Sequence, residues 1–172
     1  MGDDERFDYI YRFVSADNWG ALRTKHADAA NPLAPNPNGH IIRWRDANHH
    51  TGPTFEWDIF RIADATRDTE DAFGSPDGLW ADPDGRLFIQ TDGSQPQGLN
   101  DQMLVTDSAT GELRRLLAGV GGSEVTGIAI TPDRRTLFCN IQHPGDGDPS
   151  LTSFPLPATL VVRRKDGGIV GS

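Results

Sequence analysis

The sequence has one cysteine, Cys139, in 172 residues. That excludes an internal disulfide and a cysteine-rich zinc site. Basic residues are scarce: 16 Lys and Arg stand against 25 Asp and Glu, for a formal net charge of -9 and a pI near 4.8. No basic run is present that could track a polyanion, so nucleic acid and anionic membrane are not expected partners. No apolar stretch approaches the ~18–20 residues of a spanning helix. The acidic opening Met1-Gly-Asp-Asp-Glu-Arg6 is not followed by the apolar segment of a signal peptide. The chain also lacks Gly-x-x-x-x-Gly-Lys-Ser/Thr, Gly-x-Ser-x-Gly and His-Glu-x-x-His motifs, which argues against an NTPase or a serine hydrolase. Hydrophobic residues make up 36% and the mean hydropathy is -0.50, so the core is expected to be thin.

Glycine and proline are plentiful, with 19 Gly and 12 Pro. They punctuate an internal repeat. Gly78-Leu-Trp-Ala-Asp-Pro-Asp-Gly-Arg-Leu-Phe-Ile-Gln90 resembles Gly127-Ile-Ala-Ile-Thr-Pro-Asp-Arg-Arg-Thr-Leu-Phe-Cys-Asn140, at an offset of 49 residues. Each copy predicts a strand, a Pro-Asp turn and a second strand, because Pro presets φ where the turn begins and Asp or Gly suits the next positions. A further strand-turn-strand comes after each copy. The first runs through Gln102–Thr106, Ala109–Glu112 and Leu113–Leu117; the second through Thr159–Arg164, Lys165–Gly168 and Ile169–Val170. Four strands per ~45–50 residues is the pattern of a propeller blade. Upstream, Gly39–Arg45 and Thr54–Ala63 predict the outer pair of another blade, joined by a turn that holds His49 and His50. Asp8–Val14 predicts one strand of the blade before it. Residues 15–38 are polar and too short for three strands; they predict a loop, with a short helix around Ala21–Ala30. The expected fold is therefore all-β: a partial β-propeller of about two and a half four-stranded blades plus one stray strand. Residues 1–38 form an N-terminal strand and polar linker, and 39–172 the propeller domain. So few blades leave open edges, which predicts self-association or pairing with a missing propeller half.

The first strand of each blade lines the channel, so equivalent strand starts converge in space. Asp77, in Ser75-Pro-Asp-Gly78, and Glu124, in Glu124-Val-Thr-Gly127, are expected at the same mouth. Carboxylates there suit calcium, which takes six to eight oxygens. The plainer reading is that Asp77 forms a turn and Glu124 is solvated. The ends of the second strands add Asp92, Asn140 and His143 as further candidate ligands, and Asp101 carries similar weight. Asp92 also reads as a turn residue and His143 as an exposed loop residue. Cys139 reads as a small buried hydrophobe. Trp44, Trp57 and Trp80 read as packing residues.

These segments together resemble a known family. Phe73 through Gly93, Asn100–Met103, Glu124–Gly127, Asn140–Gly145 and Arg164–Gly168 are similar to the PhoX-type alkaline phosphatases, as are Asn38–Arg45 and Phe55–Phe60. The matches keep the family's order over most of residues 36–172. The resemblance implies a six-bladed propeller that hydrolyses phosphomonoesters with calcium and iron at the channel mouth. It favours Glu124, then Asp77, as metal ligands, and implies an exported protein. Three departures stand out. An Arg-Pro-Glu-Trp segment expected before Gly39 is absent, and so are the family's N-terminal blade with its iron-binding cysteine and its twin-arginine signal. The remaining cluster is then expected to bind metal weakly. Two other readings stay open: a non-catalytic propeller fragment that binds calcium or a protein partner, and a calcium-propeller lactonase with similar Pro-Asp-Gly repeats. The motifs after Gly93 argue against the lactonase.

Overall fold

A computed structural model describes residues 27–66, 69–93, 95–146 and 156–172, and residues 9–14 by their backbone. Among the described residues are ten strands in three antiparallel sheets. The first sheet joins β1 (Tyr9–Val14), β2 (His40–Asp46) and β3 (Phe55–Ile62). The second holds β4 (Pro76–Ala81), β5 (Arg86–Thr91), β6 (Gln102–Asp107) and β7 (Leu113–Ala118) in sequence order. The third holds β8 (Glu124–Ile130), β9 (Leu137–Gln142) and β10 (Ala158–Val162). The architecture is an unclosed, partial propeller. Among the described residues no helix is long and apolar enough to cross a membrane.

The turns obey the sequence chemistry. In Asp82-Pro-Asp-Gly85 the Asp82 carboxylate accepts the backbone N–H of Asp84 and Arg86, each at 2.9 Å. Its second oxygen accepts from Arg86 Nε at 2.6 Å. The equivalent turn of the third blade starts with Thr131, whose hydroxyl donates to Asp133 at 2.6 Å. Arg134, at φ 57°, completes that turn and reaches back to Asp84 at 2.6 Å, tying the two blades' lower ends together. Residues 47–50 form a tight left-handed turn between β2 and β3, as expected, with Asn48, His49 and His50 all at positive φ.

The middle blade owes its burial to strand alternation. Successive side chains point to opposite faces, and both faces of this blade are covered. Leu87, Ile89 and Leu104 face the first blade with Ile41, Ala63 and Phe73. Phe88, Met103 and Val105 face the third blade with Val125, Leu137, Cys139 and Ile141. All six residues of β5 are buried as a result. Cys139 is buried within this second cluster, as its sequence context implied. Trp80 packs on Phe88 with ring centroids 5.3 Å apart.

Three details differ from expectation. The strand expected to stand alone, β1, pairs antiparallel with β2 from Tyr9↔Arg45 to Val14↔His40 and so extends the first sheet. Ile169–Val170 form no strand. Arg164 and Asp166 pair instead, and turns at Gly167 and Gly171 fold the chain back. Val170 N–H donates to Arg134 O at 3.0 Å, and its side chain enters the core between the second and third blades. Residues 27–30 of the expected helix are not helical; the remainder of that helix lies outside the described residues.

Candidate metal and phosphate site at the channel mouth

The starts of β4 and β8 repeat one irregularity. In β4 the register with β5 shifts between Pro76 and Leu79; in β8 the register with β9 shifts between Thr126 and Ile128. Each bulge holds the repeat's glycine, Gly78 or Gly127. Bulges unpair one residue and re-aim side chains at the rim of a sheet. Gly127 is required there on two counts: its φ is +59°, and a Cβ would lie 2.7 Å from Asn140 Nδ2. The buried Gln90 of β5 fixes this bulge from the neighbouring blade, its Nε2 donating to Gly127 O at 3.0 Å.

The bulges set the carboxylates of two blades against one another. Burial pushes the Asp77 carboxyl above its ordinary range, and the charge of Asp92 raises it further. Burial likewise raises Glu124; Asp92 and Asp77 add to the rise, opposed by a hydrogen bond from Thr126 and by His143. Asp77, Asp92, Glu124 and His143 thus share one electrostatic neighbourhood, although Glu124 lies 47 residues beyond Asp77 in sequence. Asn140 pairs with Thr126 in the β8–β9 ladder, next to the Gly127 bulge and two residues along from the Glu124↔Gln142 pair. It is exposed on the open face of the third blade, where its Oδ1 accepts from Thr159 at 2.8 Å. His143 sits at φ 50° in an exposed loop.

A polar hub that sequence inspection largely missed supports this mouth. Asp101 Oδ1 accepts from Thr91 Oγ1 at 2.8 Å, from Gly93 N–H at 3.0 Å and from Gln95 Nε2 at 3.0 Å. Gln95 Nε2 also donates to Gly74 O at 2.9 Å. The fully buried Gln102 donates to Ala72 O and Gln95 Oε1, and accepts from Arg115 Nε at 2.6 Å. The hub anchors residues 72–74, just ahead of the Asp77 bulge. Gln90, Gln95 and Gln102 carry no motif. For Gln90 and Gln102 the sequence signal was a polar side chain at a strand position whose alternation demands burial; Gln95 lies outside the strands.

Burial pushes the Asp101 carboxyl up to about 6, although its Thr91, Gly93 and Gln95 donors pull the other way. The folded state therefore holds a proton that the unfolded chain, with a carboxyl near 3.9, has released. Between pH ~4 and ~6 the native state binds more protons, so this group's contribution to stability falls as pH rises through that window. The Asp101→Asn variant is expected to lose that part of the slope. Urea-denaturation midpoints at pH 4.5 and 7 test it; an unchanged slope would exclude Asp101 as its source.

The family described as alkaline phosphatase PhoX matches residues 20–145. A solved structure of Pseudomonas fluorescens PhoX in complex with vanadate, a transition-state analogue, superposes with a TM-score of 0.78 at 36% identity. The superposition covers 95% of this chain and 33% of that one, so the chain spans about a third of its solved relative. No curated protein matches.

Proposed function

The chain belongs to the PhoX alkaline phosphatase family, and on that premise we propose that it supplies part of a metal-dependent phosphomonoesterase site at the mouth between its second and third blades. The observation that carries this reading is the convergence of Asp77 and Glu124, each feeling the charge of Asp92. Carboxylates raised by burial, and further by one another's charge, favour a cation among them, and hard oxygen donors suit calcium. Iron is the second ion that the family resemblance supports. Glu124 and Asp77 would hold the ion, with Asp92 and His143 beside them.

The donor chemistry fits a cation, but the donor number does not fill its shell. Among the described residues no three of His, Cys, Asp and Glu form a group that could hold an ion. Calcium's six to eight oxygens would then be completed by further propeller blades. A bound cation supplies charge neutralisation for a phosphate ester. The chain's own part is positional: the two bulges aim the carboxylates and the Gln102 hub holds the loop before Asp77.

Hydrolysis of p-nitrophenyl phosphate by the purified chain, with calcium and iron and then with a chelator, tests the reading. Weak calcium binding is the expected result, with chelator-sensitive turnover where a second copy or a missing propeller half completes the shell. A folded sample that neither turns over nor binds calcium would sink it.

A second reading is a non-catalytic blade assembly that binds a partner. The faces of the outer blades favour it: Phe55 and Trp57 on β3 and Leu160 and Val161 on β10 are exposed. Such edges and faces invite another copy or the rest of a propeller. Sedimentation across a hundredfold concentration range is expected to show self-association; a monomer throughout would count against it.

A further inference from the structure

The second blade grips the third through one face. Phe88 and Val105, paired across β5 and β6, share a core with the third blade's Val125, Leu137 and Cys139, and Trp80 lies against Phe88. Gln90 completes the grip by donating to Gly127 O of the third blade at 3.0 Å. The sequence repeat puts Ala129, Phe138 and Asn140 of the third blade at the places of Trp80, Phe88 and Gln90. The strand ladders agree. Ala129 pairs with Phe138 as Trp80 pairs with Phe88, and Phe138 pairs with Val161 as Phe88 pairs with Val105. The amides agree too: a Cβ on Gly78 would meet Gln90, and a Cβ on Gly127 would meet Asn140. The third blade thus repeats on its outer face the set by which the second blade holds its neighbour. Yet Ala129, Asn140 and Val161 are exposed.

The first blade carries the other half of such a contact. Arg43 and Phe60 point to the second blade, where Arg43 donates to Ser108 O at 3.4 Å and Phe60 packs on the shared core. Side chains alternate along a strand, so Trp44, Phe55, Trp57 and Ile59 stand on the opposite face, with Trp44 paired directly to Trp57. Phe55 is 61% and Trp57 43% exposed there. Large aromatics gathered on one face mark an interaction surface.

We infer that the outer face of the third blade docks on this aromatic face of the first blade in a second copy of the chain. A second copy fits because one chain carries both halves of the contact. Head-to-tail contacts of this kind either close into a ring or propagate. Three blades from each copy make six, within the ~4–8 at which propellers close, so two equal contacts complete a ring of two. Rotation about the channel axis keeps both mouths at one end, and Asp77 and Glu124 of both copies then face one opening. What those carboxylates hold there rests on the metal reading above; the contact itself does not.

Sedimentation equilibrium without metal tests the contact apart from any phosphatase activity. The parent is expected to pass from one copy to two as concentration rises, with no larger species. Ala129→Lys on the third blade and Trp57→Glu on the first are each expected to weaken association at least tenfold. Both positions are exposed, and circular dichroism checks that each variant keeps its strands. An equimolar mixture of the two variants is expected to recover association, because it holds one unaltered contact and one that sets Lys against Glu. A contact between two like faces would instead be lost in one variant alone. The inference is overturned if the parent stays a monomer, as it would if a different chain supplied the missing blades, or if it assembles beyond two copies. It is equally overturned if either folded variant associates as the parent does, or if the mixture stays monomeric.

Discussion

Replacing Glu124 by alanine is expected to weaken calcium binding at least tenfold and to remove chelator-sensitive phosphatase turnover to the same or a greater extent. Two effects combine. One is the loss of a hard oxygen donor from a site whose affinity is tuned by ligand number and charge. The other is the loss of a negative charge beside Asp77 and Asp92, whose repulsion the cation relieves. Glu124 lies at the start of β8 and is only partly buried, so the substitution leaves the core intact. Stability without metal is expected to stay the same or rise slightly, because a carboxylate repelled by two others has gone. A pH test accompanies it. Protonation competes with the metal, and Glu124 and Asp77 hold their protons above the usual carboxylate range. Calcium affinity should therefore climb with pH through and beyond the ordinary carboxylate range, and more shallowly in Glu124→Ala. Equal calcium affinity in variant and parent would remove Glu124 from the site.

Phe88→Ala is expected to destabilise the chain by about 3–5 kcal/mol, the range for a large aromatic lost from a packed core. Against a typical total stability of about 5–15 kcal/mol, this is enough to unfold a large share of a marginally stable population. Phe88 is 0% exposed and touches three separate parts of the chain. Trp80 packs on its ring. Met103 and Leu137 share its cluster. Gly171, at φ +85°, fits beneath it because a Cβ there would sit 2.9 Å from the ring. Removing the ring takes away the surface that docks the C-terminal turn as well as the contact between the second and third blades. Urea unfolding monitored by tryptophan fluorescence measures the loss. Val161→Ala, 60% exposed on β10, serves as the comparison and should change stability by less than about 0.5 kcal/mol. A Phe88→Ala loss near 1 kcal/mol would mean that the blade interface is not packed as described.

The strand-turn-strand units, the repeat and the family were all legible in the amino-acid order. They rest on local chemistry. Pro-Asp turns, period-two alternation and the two glycines at the strand starts act over a few residues, so they survive as readable pattern. The nearness of Asp77 and Glu124 was legible for a related reason, since the strand starts of successive repeats occupy equivalent places. The remainder came only from the folded chain. Folding placed β1 beside β2, because strand pairing depends on which backbone edge is free and not on nearness in sequence. It turned Ile169–Val170 into a core plug, because Val170 meets a cavity between blades that no short window reveals. It kept Asp92 and His143 in the electrostatic neighbourhood of Glu124 and turned Asn140 to the face of the third blade opposite the buried Leu137, Cys139 and Ile141. It also gave Gln90, Gln95 and Gln102 their roles. An amide inside the fold is defined by what surrounds it, and those surroundings come from segments as much as 37 residues apart.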